Sequence, residues 1–145
     1  EYDKLREVVL NYHETIRETA VKRYCNSAVI DAVLSSYLQK AESKGIRVGV
    51  ALSFPEPLPV DEAELATVFA NAIENAIHAC EKLDADKRQI DVKVLTSPRF
   101  MLQISNSYDG AVEFDENGTP VSREEGHGFG TRSIVAFCNK NKAFY

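Results

Sequence analysis

Between Asp61 and Leu83 the chain reads DEAELATVFANAIENAIHACEKL, and its apolar residues recur at the period of an α-helix. Leu65, Phe69, Ala72, Ile73, Ala76, Ile77 and Cys80 fall on one side, so this helix must bury that side against other elements. Asp61 stands where an N-cap carboxylate is wanted, and Glu64 three residues on completes a capping-box pattern. The opposite side carries Asn71, Asn75 and His78, within about 60 degrees of one another on a helical wheel. A neutral carboxamide oxygen is a hard ligand of the sort Mg²⁺ accepts alongside waters and phosphates, and Asn75 is the candidate for it. A solvated polar face is the plainer reading of the same stripe, and a surface or packing role is the plainer reading of His78.

The other elements group around that helix. SAVIDAVLSSYLQKAESKG, residues 27 to 45, is a second amphipathic helix, with Gly45 in the position that ends helices. IRVGVALSF alternates and is rich in β-branched residues, as a strand is, and PEPLPVDEAE is a Pro-rich connection. QIDVKVLTS and FMLQISNS are strand-like runs parted by Pro98 and Arg99, which predicts an antiparallel pair. Residues 107 to 127 show little periodicity, the mark of a lid or a disordered connection. GHGFGT, residues 126 to 131, then leads into RSIVAFCNKN, a further helix. Helices on one face of a mostly antiparallel sheet make an α+β two-layer sandwich. Ahead of it, Tyr2, Leu5, Val9, Tyr12 and Ile16 form a heptad seam, so residues 1 to 25 read as a bundle helix and residues 26 to 145 as the domain proper. The chain opens on Glu1 and stops at Tyr145 as another strand begins, so we read it as an excerpt of something longer.

Composition removes several function classes. A net charge of −5 with no run of Lys or Arg argues against a nucleic-acid surface. No apolar stretch approaches the roughly 20 residues that cross a bilayer, and no signal-peptide pattern is present. Cys25, Cys80 and Cys138 lie far apart without a CxxC pair, which favours free thiols over zinc or a disulfide.

The glycines at 126, 128 and 130 demand a reason for bare backbone before a helix start. Amides of a first helical turn have no intrahelical acceptor and sit at the positive end of the helix dipole, so they can hold phosphate oxygens. Removing side chains lets those oxygens approach, and glycine also permits the φ > 0 angles of an anion-binding nest. A flexible loop with a helix cap is the plainer alternative. Thr131 breaks the GxGxxG spacing of a dinucleotide fingerprint, and no Lys follows as in a Walker A loop.

Taken in order, NAIENAIHA on a helix, a strand ending in ISNS, a lid-length loop and GHGFGTRSI resemble the ATP-binding domain of the GHKL group, the Bergerat fold. Within that group the chain is most similar to sensor histidine kinases of the quorum-sensing receptor type, over about residues 27 to 141. The resemblance implies ATP and Mg²⁺ as ligands, with Asn75 as the metal-binding residue and Asn71 facing the phosphates. His78 stands where the family often has a phosphate-contacting Lys. Asn106, in NSYDG, occupies the place of the Asp that binds the adenine amino group, and its amide oxygen can accept the same hydrogen bond. Gly126, His127, Gly128, Phe129, Gly130 and Thr131 match the second glycine box. The implied reaction is phosphoryl transfer to a histidine, then relay to an Asp of a response regulator, with no catalytic residue assigned in this chain. The substrate histidine is expected upstream, since only about a dozen residues separate His13 from the Asn26–Ser27 break, too few for a helical hairpin. The expected setting is a homodimer through the N-terminal helix, in the cytoplasmic part of a membrane-anchored receptor. Two rivals remain at this point: a scaffold that kept the fold and lost nucleotide affinity, and another GHKL ATPase such as an anti-sigma serine kinase.

Overall fold

Ser27 starts the first described helix, α1 (Ala28–Ser43), by accepting a hydrogen bond from the Ile30 amide at 3.4 Å. Asp31, in its first turn, reaches back to accept from the amides of Tyr24 (2.6 Å) and Cys25 (3.3 Å), and so fixes the incoming chain. At the far end Gly45 takes φ +72, and its amide bonds Glu42 O while the Ile46 amide bonds Ala41 O. That pair of bonds is a Schellman cap, and Ala41 and Ile46 are both buried beside it. The computed structural model describes Lys4, Glu7, residues 23–121 and residues 129–145. The heptad positions Tyr2, Leu5, Val9, Tyr12 and Ile16, and with them His13, lie outside the described residues, as do Gly126, His127 and Gly128.

β1 (Arg47–Leu52) follows, and the Pro-rich connection leads to α2 (Glu62–Glu81). Asp61 caps α2 by accepting from the Glu64 amide at 2.9 Å, while the Glu64 carboxylate is turned to Lys140. A 3-10 turn (Ala85–Lys87) precedes β2 (Gln89–Leu95), and β3 (Met101–Asn106) completes a sheet of order β1-β2-β3. β1 pairs with β2 in parallel, α2 being the crossover, and β2 pairs with β3 antiparallel as the sequence predicts. Residues 107 to 121 depart from the expectation of an unstructured connection: β4 (Glu113–Phe114) and β5 (Pro120–Val121) form an antiparallel hairpin. α3 (Phe129–Lys140) closes the described elements, and the fold is α+β with two of its three strand pairings antiparallel.

The alternation of β2 decides which sheet face is covered. Ile90, Val92 and Val94 are buried, whereas Asp91, Lys93 and Leu95 on the other face are exposed. Against the inner face pack Ile30, Leu34 and Leu38 of α1 and Leu65, Phe69, Ile73 and Ile77 of α2, all essentially inaccessible. Each such side chain contributes roughly 1.5–3 kcal/mol through burial, so these two helices and β2 carry most of the stability. α2 lies in the middle of the helical layer, touching α1 on one flank and α3 on the other. Lys40–Glu74 (2.8 Å) and Lys44–Glu81 (2.6 Å) bridge α1 to α2 at the surface. Arg88 joins the ends of both helices: its guanidinium donates to Leu83 O (2.8 Å), Lys44 O (2.8 Å) and Glu81 O (3.3 Å). These are carbonyls that a helix end leaves without an amide partner.

Candidate functional site

Asn71 and Asn75 sit one turn apart on the flank of α2 turned to α3, both half-buried. A Cβ built on Gly130 would stand 3.1 Å from Asn75 Nδ2, 3.4 Å from Asn75 Oδ1 and 3.5 Å from Asn71 Cβ. The first turn of α3 therefore lies against the Asn75 carboxamide and the Cβ of Asn71, and a side chain at Gly130 would make the carboxamide give by a few tenths of an ångström. Lys140, at the other end of α3, pairs with Glu64 near the start of α2, so the two helices run antiparallel. Consequently the first turn of α3, whose amides have no acceptor within the helix itself, lies beside the C-terminal half of α2, where Asn71 and Asn75 are. Among the described residues no hydrogen bond engages either carboxamide.

Asn106 ends β3 on its inner face, opposite Ile90. Its Nδ2 donates to Ser107 O at 2.9 Å, which sets the orientation of the amide and leaves Oδ1 as the acceptor. The thiol of Cys80, buried at the end of α2, donates to Gln89 O (3.5 Å) and Ser107 O (3.6 Å), and this brings the C-terminal ends of α2 and β3 together. From Asn75 to Cys80 the helix rises only about 7–8 Å, so Asn106 belongs to the same end of the molecule as the two carboxamides. The Ser107 carbonyl is a contributor that sequence reasoning missed, because a backbone acceptor leaves no trace in residue type.

A family model described as GHKL domain matches residues 60–143, more than half of the chain. The chain belongs to the GHKL family. The match begins just before the Asp61 cap of α2 and ends just past α3, so it takes in every described group named above. GHKL proteins are ATP-using kinases and ATPases, and GHKL domains bind ATP, usually with Mg²⁺. No curated protein matches the chain.

Of the residues singled out from sequence, this GHKL domain brings Asn71, Asn75 and Gly130 into contact and sets Asn106 at the same end. His78 is half-buried one turn beyond Asn75, Thr131 is half-buried in the first turn of α3, and Phe129 opens that helix. Gly126, His127 and Gly128 lie outside the described residues. Among the described residues no group of three or more His, Cys, Asp or Glu gathers to hold a metal ion. A cation at Asn75 would thus take its remaining ligands from phosphate and water, the habit of Mg²⁺ rather than of a metal caged by protein. The three cysteines are free, and burial pushes the Cys138 thiol upward, away from the thiolate that metal binding requires.

A cavity of 520 Å³ lies elsewhere, lined among others by Tyr24, Cys25, Leu52, Phe54, Pro57 and Glu62. It stands beside the first residue of α2, whereas Asn75 is on the fourth turn, about 20 Å along the axis. None of Asn71, Asn75, Asn106 and Gly130 lines it.

Proposed function

We propose that the chain is the ATP-binding catalytic domain of a sensor histidine kinase, which presents Mg-ATP to a histidine outside this chain for relay to a response regulator. The observation that carries the nucleotide site is the seating of Gly130 against Asn75, with a helix start and an unengaged carboxamide at one point. Asn75 would hold Mg²⁺ through its amide oxygen, Asn71 would face the phosphates, and the opening amides of α3 would take up phosphoryl charge. Asn106, with its amide nitrogen already committed to Ser107 O, would accept from the amino group of adenine. When bound, Mg²⁺ neutralises charge on the phosphates, and the domain's share of the work is to position them.

The histidine-kinase reading, as against another GHKL ATPase, rests on the heptad seam of residues 2 to 16 ahead of the domain, which supplies a bundle connection. A homodimer through that helix, a response regulator as the downstream partner and a cytoplasmic domain on a membrane-anchored receptor belong to the same proposal. Among the described residues no helix is long and apolar enough to cross a membrane.

Calorimetry with ATP in the presence and absence of Mg²⁺ tests the nucleotide site. Asn75→Ala should lower Mg-dependent affinity at least about tenfold, near 1.4 kcal/mol, while the melting temperature of the free protein stays put. Undiminished binding by the variant would remove Asn75 from the site. No binding by the parent chain would favour the scaffold reading. Phosphoryl transfer to the isolated upstream helical hairpin, followed as acid-labile ³²P, separates a histidine kinase from a serine kinase, whose product survives acid.

A further inference from the structure

Pairing with β2 uses only half of the backbone groups of β1. The Arg47 amide bonds Arg88 O at 3.1 Å and the Ser53 amide bonds Val94 O at 3.0 Å. In a parallel ladder the odd-numbered residues from 47 to 53 therefore address β2, and the amides and carbonyls of Val48, Val50 and Leu52 face the other way. Among the described strands β1 ends the sheet on that side, and nothing pairs with its edge. Val48 to Leu52 holds no charge and no proline, and its register with β2 runs without a bulge, so the usual devices that keep a sheet edge from joining another strand are missing. Val50 points to the inner face with its register partner Val92, but it is 47% exposed whereas Val92 is buried. The helical layer is thus set back from this edge.

The outer face says what fits there. Gly49 lies beside Asp91, and Ala51 beside Lys93. A Cβ on Gly49 would stand 2.3 Å from Asp91 Oδ1, so the missing side chain lets that carboxylate lean over β1 toward the edge, while Oδ2 accepts from Gln89 Nε2 at 3.0 Å. Two copies of β1 meeting antiparallel can exchange hydrogen bonds only where Val48, Val50 and Leu52 face one another. Centring that pair on Gly49 would align Asp91 with Asp91 of the second copy, and centring it on Ala51 would align Lys93 with Lys93, like charges in both cases. Centring it on Val50 sets Gly49 opposite Ala51 of the second copy, so the row across the seam reads Asp91, Gly49, Ala51, Lys93. The leaning carboxylate is then about two strand spacings, about 10 Å, from the Lys93 backbone of the second copy. Small residues leave that span open, and a lysine stem covers most of it. On the inner face the same centring sets Val50 against Val50 and Val48 against Leu52, all apolar.

We propose that two copies of this chain join edge to edge through antiparallel β1 strands, with Val50 on the two-fold axis and Asp91 of each copy facing Lys93 of the other. The two sheets become one, with the helices of both copies on the same side. Main-chain hydrogen bonds supply the attraction, and exposed charges, each weak alone, choose the register. The contact is separate from the heptad seam of residues 2 to 16, and it does not depend on the nucleotide site.

Sedimentation equilibrium of the whole chain, from micromolar to millimolar concentration, tests it. Val50→Pro removes an amide that faces the edge and none that bonds β2, so it should keep the fold, read by circular dichroism, and weaken self-association about tenfold or more. Lys93→Asp and Asp91→Lys should each weaken it about fivefold, because like charges then meet across the seam. An equimolar mixture of those two single variants should associate as the parent does, since every Asp again faces a Lys. A register fixed by anything else, or a loss caused by misfolding, would not be repaired by mixing. The proposal is overturned if a folded Val50→Pro associates as tightly as the parent, or if the mixture associates no more tightly than either single variant.

Discussion

A methyl group on Gly130 would press on the Asn75 carboxamide at 3.1 Å, which makes Gly130→Ala the smallest change that tests the site. Alanine favours a helix over glycine by about 1 kcal/mol, and the contact opposes that gain, so stability should move by no more than about 1 kcal/mol either way. Mg-ATP affinity should nonetheless fall about tenfold, because the Asn75 carboxamide is displaced from its seat against the helix start; unchanged affinity in calorimetry would mean that the contact plays no part in binding. Asn75 was legible as a candidate because helical spacing set it on the polar side of α2. Gly130 was legible only as one of three alternate glycines, and its contact with Asn75 depends on how α3 docks, which periodicity does not encode. The orientation of Asn106 was hidden for the same reason: it is set by a neighbouring carbonyl, not by residue type.

At the scale of elements, the caps were readable and the joints between elements were not. Asp61, Ser27 and Gly45 act as their residue types predict, since a cap is a local bargain between one side chain or one φ angle and the next few amides. Arg88 is a different case, because it serves the ends of two helices that only the fold brings together. Arg88→Ala should lower the unfolding free energy by about 1–3 kcal/mol, read from urea denaturation, and Arg88→Lys should recover only part, since one ammonium cannot span three carbonyls. A loss near zero would show that water replaces the guanidinium without cost. The β4–β5 hairpin also escaped the sequence pattern, because strands of two residues are shorter than any period.

For the molecule as a whole, two surface ion pairs tie α1 to α2 and imply a pH dependence. The hydrogen bond from Lys44 holds the Glu81 carboxyl below the usual carboxylate range, and the hydrogen bond to Glu74 holds the Lys40 ammonium above the usual lysine value. Stability from Glu81 is therefore present above the ordinary carboxylate pKa and fades as pH falls through the depressed value. Stability from Lys40 is present below the ordinary lysine pKa and fades as pH rises through the raised one. Both pairs are exposed and screened, so Lys44→Gln should cost about 0.5 kcal/mol or less at neutral pH. That difference should vanish in acid, when urea midpoints of parent and variant are compared from neutral pH downward; a constant gap would assign it to packing of the lysine stem instead.

Local order was determined by the sequence alone: the helices, their caps, the β2–β3 pair and the amide stripe all follow from spacing along one chain, where each residue answers to neighbours a turn or a strand away. Assembly was decided only in three dimensions. The parallel seating of β1 on β2, the antiparallel packing of α3 on α2 and the meeting of Gly130 with Asn75 join residues far apart along the chain, as far as the 76 positions between Glu64 and Lys140. Such contacts arise from burying shared apolar surface, and that driving force has no direction of its own until the shapes of the elements meet.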